Sequence, residues 1–135
     1  MLPSAAIPSI RLLIADRQAA TRDALMGLLR GKAGVEFIGA VSPEHAVWQA
    51  ALRQVNLVLL DVIKPHAASA RLCQELCTLS PRPAVIALTT FADLDEEQAL
   101  REAGAAGYLL KKVHPEKLMN AIRLIVARER PAPDG

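Results

Sequence analysis

Asn56-Leu57-Val58-Leu59-Leu60-Asp61 is a continuous apolar run that stops at a carboxylate. A short run without alternation reads as a strand buried on both faces, as in parallel sheets covered by helices on each side. Ligands of such sheets bind in the crevice outside the carboxyl ends of the strands, so an acid at a strand's end is placed for chemistry. Three other runs end on polar residues in the same manner: Leu12-Leu13-Ile14-Ala15 on Asp16, Val85-Ile86-Ala87-Leu88 on Thr89, and Tyr108-Leu109-Leu110 on Lys111. Any one of these alone is an ordinary solvated loop residue. Four in succession converge on one place.

Along the chain, short apolar runs alternate with longer stretches of helical period, the pattern of βαβ units and a parallel sheet. Strands are expected at 10–15, 35–41, 56–60, 84–88 and 107–110, and helices at 18–30, 43–53, 67–79, 94–103 and 115–129. Ser42-Pro43 reads as an N-cap with a first-turn proline, and Asp93 with Glu96 three residues on as a capping box. Gly104 closes the fourth helix, and His114-Pro115 opens the last, whose buried stripe is Leu118, Ile122, Ile125 and Val126. Trp48 is expected to cap the core from an amphipathic second helix.

With 135 residues, 52% of them hydrophobic, the chain suits one domain with a proper core. A net charge of +2, with no dense Lys/Arg block, argues against nucleic-acid binding by this chain alone. No apolar stretch approaches the roughly 20 residues that span a bilayer. Residues 1–9 carry two prolines and no basic start, so they read as a flexible tail rather than a secretory signal, which makes a cytoplasmic location the expectation. Residues 130–135 read as a linker or tail, leaving 10–129 as the domain. Cys73 and Cys77, four apart on one helical face, read as buried, reduced thiols.

An Asp, a second Asp, a Thr and a Lys at successive strand ends resemble the receiver domain of bacterial two-component response regulators, a CheY-like fold. Leu13-Ile14-Ala15-Asp16 and Leu59-Leu60-Asp61-Val62-Ile63-Lys64-Pro65 carry the resemblance, and so do Leu88-Thr89-Thr90-Phe91 and Gly104-Ala105-Ala106-Gly107-Tyr108-Leu109-Leu110-Lys111. The last two are similar to the NarL/FixJ type, whose full-length members add a helix-turn-helix DNA-binding domain. The resemblance implies a three-layer α/β/α, flavodoxin-like fold with five parallel strands in the order 2-1-3-4-5. It implies phosphoryl transfer to Asp61 from a sensor histidine kinase or phosphotransfer protein, assisted by Lys111 and Thr89. Asp16, Asp61 and the backbone carbonyl of Ile63 would hold Mg2+. Thr89 and Tyr108 would switch a face made by the fourth helix, fifth strand and fifth helix, where a homodimer or output partner would bind. The role is signalling rather than enzymatic, beyond self-catalysed phosphoryl transfer and loss.

One departure weakens the metal site. The family has two adjacent acids at the first strand's end, and here Asp16 is followed by Arg17, which cannot be deprotonated in proteins. With Arg17 inside, Asp16 and Asp61 against Lys111 and Arg17 sum to zero. One unit-charge pair about 4 Å apart is worth roughly 4 kcal/mol gross at an effective dielectric near 20, so such a change outweighs ordinary tuning. The guanidinium either lies beside Asp61 or Asp16, partly replacing the ion, or turns into solvent and leaves a ligand missing. A phosphorylation-independent pseudo-receiver, working by protein contacts, is therefore the alternative function. A flavodoxin-like small-molecule binder is disfavoured, since Asp16-Arg17-Gln18-Ala19-Ala20-Thr21 lacks the glycines of a phosphate cradle.

Overall fold

Residues 10–129 are described by a computed structural model; the tails expected at 1–9 and 130–135 lie outside them. The apolar runs become β1 (Ile10–Ala15), β2 (Val35–Val41), β3 (Leu57–Asp61), β4 (Ala84–Thr89) and β5 (Gly107–Leu110). They form one parallel sheet in the order β2-β1-β3-β4-β5. The expected order thus holds, and β1 and β3 lie side by side at its centre, with Ala15 paired to Leu60. Their C-terminal ends therefore open on the same crevice.

The strands alternate sides, and each side has its own core. Leu12, Ile14, Leu57, Leu59 and Ile86 pack toward α1 (Ala19–Leu29) and α5 (Pro115–Glu129). Leu13, Val58, Leu60, Val85 and Ala87 pack toward α2 (Ala46–Arg53), α3 (Ala67–Leu76) and α4 (Leu94–Glu102). All of β3 is buried, and each of its leucines contributes about 1.5–3 kcal/mol relative to exposure. The expected stripe of α5 is buried as read.

Several local expectations change. The segment expected as a helix from 43 begins as a 3-10 turn, Pro43–His45, and Ser42 makes no side-chain bond to its backbone. Helix α3 ends at Leu76 rather than at 79. Trp48 does not cap the core: it is 68% exposed, and Leu52, one turn on, is 63% exposed. The reason is geometric. Helix α2 faces the sheet with Ala46 and Ala50, small residues that let it approach closely, and position 48 lies nearly opposite position 46 at 3.6 residues per turn. Cys73 is buried and Cys77 partly so; both are free thiols, and burial pushes the Cys73 thiol up to about 12.

The Gly104-Ala105-Ala106-Gly107 stretch needs both its glycines. Gly104 ends α4 at φ +113°, and a Cβ there would meet Cys77 Sγ at 2.6 Å. At Gly107 a Cβ would lie 2.9 Å from Ile125 Cδ1, so this glycine lets α5 pack close on β5.

Candidate functional site: a carboxylate crevice and a buried glutamate

Asp16 leaves the sheet immediately after β1, its N–H still donating to the Val41 carbonyl at 2.9 Å. One carboxylate oxygen, Oδ1, accepts from the Gln18 N–H at 2.8 Å and fixes the turn into α1. The other, Oδ2, lies 3.0 Å from Lys111 Nζ. Asp61 ends β3, and its Oδ1 lies 2.5 Å from the same ammonium. Lys111 is aimed there because its own N–H donates to the Thr89 carbonyl at 2.8 Å, extending the ladder between β4 and β5. Three of the four strand-end residues therefore meet through one cation.

This cluster is largely buried. The side chains of Asp16, Asp61 and Lys111 are 2%, 6% and 17% exposed. Burial pushes the Asp61 carboxyl above its ordinary value and repulsion from Asp16 adds to this, while the Lys111 ammonium and the Arg17 backbone N–H pull it back. Burial would lower Lys111, but its bonds to Asp61 and Asp16 outweigh it and hold the ammonium above the usual lysine range.

Arg17 turns outward. Its side chain is exposed, in electrostatic reach of Glu44, and among the described residues no ion pair joins it to Asp16 or Asp61. The pocket's own formal charge is therefore −1, from Asp16, Asp61 and Lys111, and not the zero obtained with the guanidinium inside. Both carboxylates are bonded to Lys111, and a residue without ligand oxygens holds the third acid's place. As it stands this donor set does not match a divalent-cation site. Among the described residues no three His, Cys, Asp or Glu are gathered as metal ligands. Ile63, expected to offer its carbonyl, is held through its N–H, which donates to the Oγ of buried Ser69 at 2.9 Å.

Thr89, the fourth strand-end residue, is fully buried, but its hydroxyl is engaged away from the Lys111 cluster. It donates to Glu96 Oε1 at 2.6 Å. The Tyr108 hydroxyl donates to the same oxygen, also at 2.6 Å. Lys64 Nζ lies 2.8 Å from Glu96 Oε2 as an ion pair, although not along a hydrogen-bonding direction. Glu96 is 0% exposed. Burial alone would raise its carboxyl, but Lys64, Thr89 and Tyr108 together hold it below the usual glutamate range. Tyr108 is pushed up, first by burial and then by its bond to Glu96.

Glu96 is the residue whose position sequence reasoning missed. The spacing reads it as the N3 residue of a capping box, three residues after Asp93 and reaching back to the Asp93 N–H. Half of that box forms: the Asp93 carboxylate accepts from the Asp95 N–H at 3.1 Å. The returning bond is relayed, because the Asp93 N–H donates to the Tyr108 hydroxyl at 3.1 Å, and that hydroxyl donates to Glu96. Nothing in the spacing of Lys64 and Ser69 points to these contacts either. A glutamate seven residues after the strand-end threonine is the one available signal, and it is a weak one.

The model of the response regulator receiver domain matches residues 12–123. The transcriptional regulatory protein PdtaR of Mycobacterium tuberculosis is 36% identical over 127 residues, covering 93% of this chain and 60% of that protein. LiaR of Bacillus subtilis, also a transcriptional regulatory protein, is 30% identical over 84% of this chain and 54% of its own. The chain thus spans little more than half the length of these curated relatives. Among solved structures, the receiver domain of a NarL response regulator from M. tuberculosis superposes with a TM-score of 0.81 at 17% identity, over 89% of this chain and 98% of that one. A CheY-like receiver domain protein from Methanospirillum hungatei gives 0.77 at 25% identity, over 90% and 96%. With the strand order, the paired acids under one lysine and this match over most of its length, the chain belongs to the response regulator receiver domain family.

Proposed function

We propose that the domain accepts a phosphoryl group on Asp61 from a sensor histidine kinase or phosphotransfer protein. The observation that carries this reading is Lys111, whose ammonium touches the Asp16 and Asp61 carboxylates at the mouth of the sheet. An Asp61 oxygen attacks phosphorus; the new O–P bond forms as the P–N bond to the donor histidine breaks, and the ring nitrogen leaves with the electron pair. Lys111 then offsets charge on the transferred group, and the Thr89 hydroxyl is the further donor at the pocket. No step requires this chain to be an enzyme beyond that self-catalysed transfer and later loss of phosphate.

Output would use the face of α4, β5 and α5. It presents Leu94 at 83%, Leu124 at 59% and Leu110 at 44% exposed, together with Lys112 and the edge of Tyr108. Such apolar residues suit a homodimer or an output partner. A DNA-binding segment, as in the NarL/FixJ type, would lie in a longer parent protein. No described helix is long and apolar enough to cross a membrane, and a cytoplasmic site of action follows from the kinase partnership.

A second reading, a pseudo-receiver acting without phosphate, is favoured by Arg17 in the place of an acid. Incubation with acetyl phosphate, with and without magnesium, followed by intact-mass measurement separates the two. Gain of one phosphoryl group, absent from Asp61→Asn, supports the first; no gain in either protein supports the second.

A further inference from the structure

The buried Glu96 carboxylate has no part in the transfer described above, yet it binds the hydroxyls of both residues assigned to switching. A hydroxyl has one proton to donate. Thr89 gives its proton to Glu96 Oε1 at 2.6 Å, and the Phe91 carbonyl is a longer alternative acceptor at 3.3 Å. A phosphoryl oxygen on Asp61 can therefore recruit Thr89 only by taking that proton from Glu96. Such bonds to a charged acceptor are roughly twice as strong as neutral ones, and this one joins two side chains with no exposed surface.

From this geometry we infer that Glu96 is a positioning residue that holds the domain in its resting arrangement by competing with the phosphoryl group for the Thr89 hydroxyl. The inference rests on Asp61 being the phosphoacceptor. Glu96 belongs to α4 and binds Tyr108 of β5, while Tyr108 also accepts from the Asp93 N–H at the start of α4. Loss of the Thr89 bond thus alters the same carboxylate that ties α4 to β5. Linkage makes this reciprocal: whatever loosens Glu96 from Thr89 favours the phosphorylated form, and phosphorylation loosens Glu96. Lys64, on the loop after β3, neutralises the glutamate and keeps it a strong acceptor.

The test compares wild type, Glu96→Gln, Thr89→Ala and the double variant, labelled with acetyl phosphate and magnesium in excess and read by intact mass. Glu96→Gln keeps the shape and removes the charge, so the labelled fraction relative to unlabelled should rise about fivefold, and in the Thr89→Ala background it should not rise. A structural role alone would give the same change in both backgrounds. Equal labelling of wild type and Glu96→Gln overturns the competition and leaves Asp61 as phosphoacceptor. Labelling absent from every variant overturns the phosphoacceptor reading and the competition with it. Tyr108 is the only tyrosine, so phenolate absorbance titrates it alone. Its pKa should fall in Glu96→Gln, and an unchanged titration overturns the clamp itself.

Discussion

Two buried carboxylate sites lie at the same end of the sheet, and they are supplied with donors in opposite measure. In the crevice two acids share one ammonium, and Asp61 is left above its ordinary pKa. At the start of α4 one acid receives two hydroxyl protons and the ammonium of Lys64, and Glu96 is held below its ordinary pKa. Burial alone therefore says little about what an acid does. A carboxylate that burial leaves above its ordinary pKa is ready for a new bond, whereas one that takes two hydroxyl protons on a single oxygen, with an ammonium beside the other, holds its neighbours in place.

The largest effect is expected at Lys111. Lys111→Met leaves two buried acids facing each other, and urea denaturation at pH 7 should show a loss of about 3 kcal/mol. The loss should shrink on acidification as one of the two carboxyls takes a proton.

Neutralising each acid in turn should move stability in opposite directions. For Asp61 the folded pKa is raised, so wild type loses stability as pH rises from the ordinary aspartate value through the folded one. Asp61→Asn, measured without metal, should be the more stable protein at pH 7, with the gap closing in acid. For Glu96 the folded pKa is lowered, so its contribution is present above the ordinary glutamate value and is lost as pH falls through the folded one. Glu96→Gln should therefore be less stable at pH 7 by about 1–2 kcal/mol, with that gap also closing in acid. Denaturation midpoints between pH 3 and 7, roughly the carboxylate range, check both signs. Like signs would dissolve the contrast.

Arg17→Asp bears on the metal affinity of the crevice. Because the guanidinium already points outward, the variant adds a ligand rather than removing an opposing charge, and the pocket goes from −1 to −2. Calorimetric titration should show magnesium binding tightened by about tenfold, near 1.4 kcal/mol. Equal affinity would mean that position 17 does not reach the ion. The smallest effect is expected at Lys64, whose side chain is 53% exposed and whose partner keeps two other donors. Lys64→Met should lower the urea midpoint least among these variants, as expected of an exposed ion pair.

The crevice was legible because its signals are local. Asp16, Asp61, Thr89 and Lys111 each follow an apolar run, and a parallel sheet brings successive strand ends together whatever the side chains do next. Which way a side chain turns was not legible. Arg17 could face in or out from its spacing alone. Trp48 lay on a stretch of helical period, and only the alanines at 46 and 50 reveal which face meets the sheet. Glu96 satisfied a capping pattern so completely that nothing local hinted at Thr89, Tyr108 and Lys64, contacts that exist only once α4, β4, β5 and the loop after β3 are assembled.

The outward turn of Trp48 has its own consequence for studying this domain with light. The only indole of the chain stands in water on α2. Its emission colour therefore belongs to the solvated state in the folded protein as much as in the unfolded one. It is a reporter of whatever comes to rest on α2.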